Sequence, residues 1–396
     1  MNNLDFLLSI ESKGIKLGLD RTFALLNACG NPHNKKNIIQ IVGTNGKGTT
    51  SYMINKILLD AGYKVGLFTS PHLSRLNERI RINGIAISDE DINRFIIKYK
   101  NDILRIDSSF FEVMTVLGFW FFNRYNVDYS IMETGLGGRL DSVSACNPAI
   151  LGITSISNDH KEILGNNLDQ IALEKAGAMK KNSKCISVQQ DKIVYDVLLK
   201  EAHKKNVKLD FIEEQINYDI SINGNFQKIN ASLAKNIINI IDNNISNESI
   251  KKSLNKLNWY GRIQILASKP LIIFDVCHNV QSISGFLDYI DSLEGTRKKN
   301  LIIAIQKRKN IDSIIDRISR TFNNIIVSST GIHDTLSAKL LFKKFNQSPN
   351  VRVGKTQLSI EKFISESHKS DLLAIIGTHY LGPEISKFFK INFDNL

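Results

Sequence analysis

The chain has 396 residues, of which 42% are hydrophobic, and it carries a formal net charge of +12 at pH 7. This length indicates two domains with sizeable cores, and no apolar run approaches the ~18–20 residues of a membrane span. The four cysteines are scattered without paired spacing, which argues against a disulfide framework or a cysteine-based zinc site and is typical of a cytoplasmic protein. The N-terminus lacks a basic segment followed by an apolar one, so we expect no signal peptide.

The positive charge raises the question of a nucleic-acid partner. Lysines are spread along the whole chain, and the densest basic runs, at 297–299 and 307–309, are typical of solvated loops or of sites that attract a polyanion. We therefore expect neither nucleic acid nor a membrane as a partner.

Apolar, β-branched runs alternate with helix-like stretches along the chain, a pattern typical of a parallel sheet covered on both faces. The predicted strands are 38–42, 65–69, 129–133, 149–156, 271–276, 301–305, 324–329 and 372–377. We predict an α/β fold with an N-terminal domain built on a parallel central sheet and a smaller, Rossmann-like C-terminal domain. The boundary is placed near Trp259, giving domains 1–258 and 259–396. A further strand is predicted at 218–225 and a helix at 230–241.

The segment 38–51 reads Ile-Ile-Gln-Ile-Val-Gly-Thr-Asn-Gly-Lys-Gly-Thr-Thr-Ser and joins an apolar strand to a helical pattern. Strand, glycine-rich loop and helix is the arrangement that binds nucleotide phosphates, because the backbone N–H groups point at the anion. Lys47 is placed to reach the β- and γ-phosphates, and a following hydroxyl to hold Mg²⁺. Gly48 stands where the usual pattern has Ser or Thr, so we assign the metal hydroxyl to Thr49, with Thr50 as the alternative. A glycine-rich turn with a solvated lysine is the competing interpretation.

Further polar residues follow other predicted strands of the first domain. Glu133 ends the strand at 129–133 and opens a loop with three glycines, which is the usual place for a nucleotide-associated Mg²⁺ ligand. His160 follows the strand that ends near 156, although a lone histidine is more often structural. Lys175 lies in a predicted helix, 169–180, among apolar residues, and the residue pattern alone favours a salt-bridged or snorkelling lysine there.

The second predicted domain has its own strand-end residues. Asp275 and His278 follow the strand at 271–276. Contacts of Asp275 with a ribose or base and of His278 with phosphate are one interpretation, and a hydrogen-bonded loop pair is the other. Arg262 stands at the predicted domain junction, and its guanidinium group can bind phosphate oxygens with two donors.

Nine short motifs occur in a characteristic order: Gly-Thr-Asn-Gly-Lys-Gly-Thr (43–49), Thr-Ser-Pro-His-Leu (69–73), Glu-Arg-Ile (78–80), Phe-Phe-Glu (110–112), Glu-Thr-Gly-Leu-Gly-Gly-Arg-Leu-Asp (133–141), Asp-His (159–160), Glu-Lys-Ala-Gly (174–177), Gly-Arg (261–262) and Asp-Val-Cys-His-Asn (275–279). As a set, they resemble the folylpolyglutamate synthases, in particular the bifunctional dihydrofolate synthase form, within the Mur ligase superfamily. The resemblance extends from 15–21 to 377–381, almost the whole chain.

The resemblance implies an ATP-dependent amide ligase that acts on dihydropteroate, reduced folates and L-glutamate. A pteroate or folate carboxylate attacks the γ-phosphate of ATP to give an acyl phosphate, and the amine of L-glutamate then displaces phosphate. Two Mg²⁺ ions and the phosphate loop would neutralise charge on the transferring group. A monomer is expected.

The family's site residues are carried over by position. The implied Mg²⁺ ligands are Thr49, Ser70, Glu133, His160 and Lys175, the last as a carbamate formed with CO₂. The implied catalytic residues are Lys47, Glu133, His160 and Lys175. The implied nucleotide contacts are Gly43, Thr44, Asn45, Gly46, Lys47, Gly48, Thr49, Asn230, Arg262, Asp275 and His278. The implied pterin-side contacts are Phe110, Phe111, Glu112, Leu140, Asp141 and Ser142. Phe111 offers a flat stacking face, although an aromatic residue in such surroundings is equally often part of the core.

The chain departs from the family pattern in both predicted domains, while the catalytic set of the first domain is intact. Cys277 and Val280 replace an Ala and a Pro, residues 307–310 lack two acids of an Asp-Lys-Asp motif, Phe226 replaces a His, and Val143 and Ser144 replace Thr and Asn. Two alternatives therefore stay open: a ligase that adds an amino acid to a cell-wall precursor, and an ATP-binding relative with reduced or lost ligase activity.

Overall fold

A computed structural model describes residues 3–11, 14, 16–332, 334–346 and 348–396. Ile15, the first residue of the family resemblance, lies outside this described part. The chain forms two compact units. The first comprises Met1–Asp219, Lys228–Leu257 and Asp394–Leu396, and the second Ile220–Gln227 and Asn258–Phe393.

Within the described residues, the first unit is built on an eight-stranded sheet with the order β4-β3-β2-β5-β1-β6-β7-β8. Its strands are β1 Ile38–Val42, β2 Val65–Phe68, β3 Ile80–Ile82, β4 Ile85–Ala86, β5 Tyr129–Glu133, β6 Ile150–Ile153, β7 Lys184–Ser187 and β8 Leu209–Phe211. All neighbouring strands are parallel except β2 with β3 and β3 with β4, which form an antiparallel edge.

Helices cover this sheet and bury its apolar strands. They are α1 Asn3–Glu11, α2 Asp20–Ala28, α3 Lys47–Asp60, α4 Asp89–Ile106, α5 Phe110–Arg124, α6 Lys161–Leu164, α7 Leu168–Ala176, α8 Lys192–Lys205, α9 Phe226–Ile241 and α10 Asn247–Leu254. No helix among the described residues is both long and apolar enough to cross a membrane.

The strand register brings the chemistry-bearing loops of the first unit to one edge of the sheet. β1 lies between β5 and β6, and Ile41 is paired with Glu133 on one side and Gly152 on the other. Phe68 at the end of β2 is paired with Met132. Because the carboxyl ends of parallel strands meet at the same edge, the loops after β1, β2, β5 and β6 are neighbours.

The second unit contains, in its described part, a six-stranded sheet with the order β13-β12-β11-β14-β10-β9. Its strands are β9 Gln264–Ser268, β10 Leu271–Asp275, β11 Lys299–Ile303, β12 Asn324–Val327, β13 Val351–Val353 and β14 Leu372–Ile376. Its helices are α11 Val280–Asp291, α12 Ile315–Thr321, α13 Ala338–Lys344, α14 Thr356–Glu366 and α15 Gly382–Phe389. Only β9, at the edge and paired with β10, runs antiparallel to its neighbour in this part of the chain.

This architecture confirms the predicted α/β fold, with the addition of antiparallel edge strands. The predicted strand at 218–225 is wrong. That segment contains bends and a turn instead, and Gly224 has a φ of 98°. The ring of Phe226 packs on the backbone of this segment instead of leaving it extended: a Cβ on Gly224 would lie 2.8 Å from the ring, and a Cβ on Gly285 would lie 3.0 Å from it. The ring of Phe226 thus packs among residues of the second unit, and Ile220–Gln227 belongs to that unit.

Candidate active site

The phosphate loop, residues 43–46, joins β1 to α3, and its backbone requires glycine at two positions. Gly46 has a φ of 90°, and a Cβ there would lie 2.2 Å from the side-chain oxygen of Asn230 on α9. A Cβ on Gly43 would lie 1.9 Å from Oγ1 of Thr154. The loop therefore packs tightly, and the structure brings Asn230, a predicted nucleotide contact, directly against it.

Two lysines converge on this loop from different helices. Nζ of Lys47, the first residue of α3, donates to the carbonyls of Gly43 at 3.2 Å and Thr44 at 3.0 Å. Lys175 on α7 is only 4% exposed, and its Nζ donates to the same Gly43 carbonyl at 2.6 Å. Two amine groups on one carbonyl oxygen concentrate positive charge at the end of β1 when both are protonated, which favours an anion at this point.

The segment after β6 is attached to the phosphate loop. The backbone N–H groups of Thr44 and Asn45 donate to the carbonyl of Ser155 at 2.8 and 3.3 Å. Oγ1 of Thr44 donates to the carbonyl of Ser157 and accepts from its N–H, both at 3.1 Å. The same segment leads into His160, which has a φ of 50° and precedes α6. Through these bonds, the structure holds the segment that carries His160 next to the loop.

Oxygen donors suited to a magnesium ion lie at the neighbouring strand ends. Glu133 is 4% exposed, and its Oε2 accepts a hydrogen bond from the backbone N–H of Ser70 at 2.9 Å. Thr49 is 2% exposed. Oγ1 of Thr50 is buried and has no hydrogen-bond partner among the described residues. Carboxylate and hydroxyl oxygens are ligands that Mg²⁺ prefers, so these residues fit the predicted ion. In the described part of the chain, no three His, Cys, Asp or Glu side chains cluster as a metal site.

Aromatic residues at the start of α5 lie beside the glycine-rich loop that follows β5. A Cβ on Gly135 would lie 2.4 Å from the ring of Phe111, so the ring packs closely on that loop. Phe111 is half-buried and meets the ring of Phe68 edge-on, with centroids 5.9 Å apart. Phe110 is buried, and the guanidinium of Arg79 lies 5.2 Å from its ring centroid. Phe111 is therefore partly accessible, as a stacking face requires, and also in contact with the core.

Glu112 has structural partners that the sequence pattern did not reveal. It is 1% exposed, and its Oε2 accepts from the N–H of Ser109 at 2.6 Å in a capping box at the start of α5. Its Oε1 accepts from Nε of Arg21 at 3.0 Å. The Ser-x-x-Glu spacing at 109–112 is the signal that could have predicted the cap. A role of Glu112 in substrate binding stays a prediction.

The end of the glycine-rich loop is organised by Asp141. Its two carboxylate oxygens accept hydrogen bonds from the N–H groups of Leu136 at 2.8 Å and Val143 at 2.9 Å. Burial raises the pKa of Asp141 to about 6, against the lowering effect of these hydrogen bonds. Ser142 is buried and accepts a hydrogen bond from Oγ1 of Thr22 at 3.0 Å, while Leu140 is half-buried.

A histidine–arginine pair near this edge of the sheet was not predicted as a functional group. Nε of Arg79 donates to Nδ1 of His72 at 2.9 Å. Burial, and then the charge of Arg79, lower the pKa of His72 to about 3. His72 is therefore a neutral acceptor at neutral pH. The Ser-Pro-His and Glu-Arg-Ile motifs contained both residues, but nothing in the sequence indicated that they pair.

In the second unit, the predicted nucleotide contacts have local partners. The carboxylate of Asp275, at the end of β10, accepts from the N–H groups of Ile263 and Cys277, each at 2.7 Å. Burial raises the pKa of Asp275, although the charge of Arg262 opposes this. Nδ1 of His278 lies 2.8 Å from the carbonyl of Val276, and because a carbonyl only accepts, Nδ1 carries the proton. These bonds fit the hydrogen-bonded loop interpretation, and the nucleotide roles stay predictions.

Comparison with known proteins identifies the family. The Mur ligase middle domain matches residues 41–255. A dihydrofolate synthase/folylpolyglutamate synthase of Bacillus subtilis is 30% identical, with 95% of this chain and 96% of that protein covered. The protein of the same name from Buchnera aphidicola subsp. Acyrthosiphon pisum is 32% identical, with 86% of both chains covered.

Solved structures have the same fold. Folylpolyglutamate synthase of Thermotoga maritima is 26% identical, with a TM-score of 0.83 over 99% of this chain and 98% of that one. Escherichia coli FolC, in complex with DHPP and ADP, has a TM-score of 0.91 over 98% of both chains at 22% identity, a likeness of fold alone. The family model covers more than half of the chain, and the Bacillus and Buchnera proteins are 30% and 32% identical over most of it. The chain therefore belongs to the dihydrofolate synthase/folylpolyglutamate synthase family of Mur ligases.

Proposed function

We propose that this chain is an ATP-dependent ligase that forms an amide bond between L-glutamate and dihydropteroate, reduced folate (poly)glutamates, or both. The observation that carries the proposal is the convergence of Lys47 and the buried Lys175 on the Gly43 carbonyl at the end of a phosphate loop. The relatives' shared name favours the folate substrates over the cell-wall alternative.

The reaction needs an activated carboxyl group, because an amine does not displace oxide from a carboxylate. The carboxylate oxygen of the pterin substrate bonds to the γ-phosphorus of ATP, and the bond to the β-phosphate oxygen breaks, which releases ADP. The glutamate nitrogen then attacks the acyl carbon, phosphate leaves, and the nitrogen loses a proton. Lys47 moves from the Gly43 and Thr44 carbonyls to the phosphate oxygens and stabilises the charge that they carry during transfer.

A magnesium site beside the phosphate loop is part of the proposal. Thr49, Ser70, Glu133 and His160 would hold the ions, and Lys175 would contribute through a carbamate. Bound Mg²⁺ neutralises charge on the transferring phosphoryl group. The carbamate forms when the neutral Nζ bonds to the carbon of CO₂ and releases a proton. Lys175 loses its ammonium proton before this step, which ends the repulsion between two cations at the Gly43 carbonyl. The carbamate then adds a negative charge at that position.

The pterin substrate is proposed to contact the face of Phe111 that does not pack on Gly135, and Asp141 at the end of the glycine-rich loop. The half-buried ring of Phe111 offers a stacking face. The carboxylate of Asp141, positioned by two backbone N–H groups, is a hydrogen-bond acceptor for ring nitrogens. On the nucleotide side, Asn230 adjoins the phosphate loop, and Arg262, Asp275 and His278 are proposed contacts from the second unit.

Compartment and oligomeric state complete the proposal. All four cysteines are free thiols, and three of them are buried, which supports a reducing cytoplasm. We propose a monomer, which light scattering of the purified protein would test.

The decisive assay is ADP release with ATP, Mg²⁺ and L-glutamate, comparing 7,8-dihydropteroate with reduced folate monoglutamates. Release with both substrates means a bifunctional enzyme, and release with folates alone means a dedicated polyglutamate synthase. Lys47→Ala should abolish release while the protein stays folded. Binding of ATP without release by the wild-type protein would favour the alternative of an ATP-binding relative that has lost the ligase reaction.

A further inference from the structure

The glycine loop, residues 134–141, lies directly on the turn of α7 that carries Lys175. A Cβ on Gly138 would lie 2.7 Å from the carbonyl oxygen of Lys175 and 2.8 Å from that of Glu174. On the other side of the contact, a Cβ on Gly177 would lie 2.2 Å from Cβ of Arg139. Backbone therefore meets backbone here, and neither position has room for a side chain.

Arg139 attaches this loop to α7 with three hydrogen bonds to a single residue. Its backbone N–H donates to the carbonyl of Glu174 at 2.7 Å. Its guanidinium donates to Oε1 of Glu174 from Nε at 3.1 Å and from a terminal nitrogen at 2.7 Å. Glu174 directly precedes Lys175, so these bonds connect the loop to the turn of α7 that holds the lysine.

The other side of the glycine loop is attached to β1. Oγ of Ser144 donates to the carbonyl of Gly138 at 2.6 Å. Ser144 in turn accepts from Nε2 of Gln40 at 2.8 Å. Gln40 lies on the strand that leads into the phosphate loop. The glycine loop is thus held between β1 and α7, and it continues into Leu140, Asp141 and Ser142, the proposed pterin-side contacts.

The pair of Arg139 and Glu174 is poorly placed to serve stability alone. The two side chains are 55% and 22% exposed, and ion pairs at such positions add little to the stability of the fold. Catalysis, in contrast, is sensitive to small displacements: a shift of about 1 Å in the alignment of reacting groups can cost a factor of about 100 in rate. The expected effect of the pair is therefore on geometry rather than on folding.

We propose that Arg139 and Glu174 form a positioning pair that fixes the pterin-side loop relative to Lys175 and the phosphate loop. The proposal rests on the proposed ligase function, because it assigns the loop to the carboxylate substrate and Lys175 to the phosphate side. Neither residue touches substrate. They act by keeping the substrate carboxylate in line with the γ-phosphate of ATP.

The test compares Arg139→Gln, Glu174→Gln, the double variant and Arg139→Lys with the wild-type protein. Arg317→Gln is the matched control, because Arg317 also donates to a partly exposed carboxylate, that of Asp288, at 2.6 Å, but in the second unit. We expect each Gln variant to lose about tenfold to a hundredfold in kcat, with the Kd for ATP and the melting temperature close to those of Arg317→Gln. The double variant should lose no more than a single one, because both changes remove the same contact. Arg139→Lys should recover part of the loss, since an ammonium keeps the charge but not the two guanidinium donors that meet at Oε1 of Glu174.

A second measurement does not depend on activity. Hydrogen exchange in the ligand-free protein should be faster in Arg139→Gln for the amides of 137–141 and 174–179, and unchanged in β1. The variant loses the two guanidinium bonds to Glu174 and keeps only the backbone bond from Arg139 to α7. Unchanged exchange there, or wild-type kcat in both Gln variants, would overturn the positioning role. A joint loss of melting temperature and ATP affinity would also overturn it, in favour of a purely structural contact. Absence of ADP release by the wild-type protein would refute the proposed function instead, and the exchange result would still decide whether the attachment exists.

Discussion

Replacing Gly46 by alanine should destabilise the protein through the backbone and, separately, weaken ATP binding through Asn230. The φ of Gly46 is 90°, and an L-residue in that left-handed region costs about 1–2 kcal/mol. The new Cβ would also lie 2.2 Å from the side-chain oxygen of Asn230, so the amide must move away from the phosphate loop. Loss of the proposed hydrogen bond from that amide to the nucleotide costs about 0.5–1.5 kcal/mol. This energy is a factor of about 2–12 in Kd at 1.4 kcal/mol per tenfold.

Gly62→Ala separates the two effects. Gly62 has a φ of 92°, nearly that of Gly46, but a Cβ there would have nothing within 4 Å. Alanine with a positive φ should therefore lower the free energy of unfolding by about the same amount in both variants. Only Gly46→Ala should bind ATP more weakly. Isothermal titration with a non-hydrolysable ATP analogue measures the affinity, and urea unfolding measures the stability.

Shortening the neighbour of Gly46 provides a further check. Combining Gly46→Ala with Asn230→Gly removes the atoms with which the new methyl group collides, so the free energy of unfolding should recover part of the loss. Affinity should not recover, because the proposed amide contact is gone. Equal ATP affinity in Gly46→Ala and Gly62→Ala would refute the reasoning, since it would mean that Asn230 does not contact the nucleotide.

Three further predictions concern ionisable groups. Lys175→Ala should lose most of the ADP release, and acetate, but not bicarbonate, should restore part of it; full activity without additives would exclude a metal-binding carbamate. The pKa of His72 is lowered from 6.5 to about 3, so the unfolded chain binds a proton at His72 more tightly than the folded chain does. The stability that the neutral imidazole contributes is present above pH 6.5 and is lost as the pH falls towards 3, at up to about 1.4 kcal/mol per pH unit. His72→Gln should therefore flatten the pH dependence of urea unfolding in that window, and an unchanged slope would contradict the lowered pKa of His72. Burial raises the pKa of Asp141 from 3.8 to about 6, so KM for the pterin substrate should rise as the pH falls through 6, and Asp141→Asn should remove this step.

The sequence predicted the parts of the fold that depend on local pattern. β1 and β5 have the predicted bounds, because buried parallel strands are continuous apolar runs that end abruptly at polar loops. The short strands β3, β4 and β8 were missed, since three or fewer residues leave no periodicity to detect. β7 was also missed, because it begins with an exposed lysine, Lys184, and lacks a long apolar run.

The site was predictable where a motif has its own geometry, and not where distant residues meet. The phosphate loop, Lys47 and the strand-end position of Glu133 follow from short segments. The contact of Gly46 with Asn230, and the approach of Lys175 to the Gly43 carbonyl, join positions far apart in the chain. The carboxylate of Glu112, predicted from the family as a pterin contact, accepts hydrogen bonds from Ser109 and Arg21. The Ser-x-x-Glu spacing could have predicted the first bond, whereas only the three-dimensional packing reveals the second.

The position of Phe226 has a consequence for the order in which the protein can fold during synthesis. The chain leaves the first unit at Asp219, contributes Ile220–Gln227 to the second, and returns to the first at Lys228. The ring of Phe226 packs against Gly285, which lies on α11. While the ribosome is still adding residues before Gly285, the first turn of α9 has an exposed aromatic ring and no partner for it. The first turn of α9 therefore becomes stable only when the second unit folds, even though the rest of α9 belongs to the first unit. On the nascent chain, we expect a folding intermediate in which the phosphate loop is intact and the first turn of α9 is frayed.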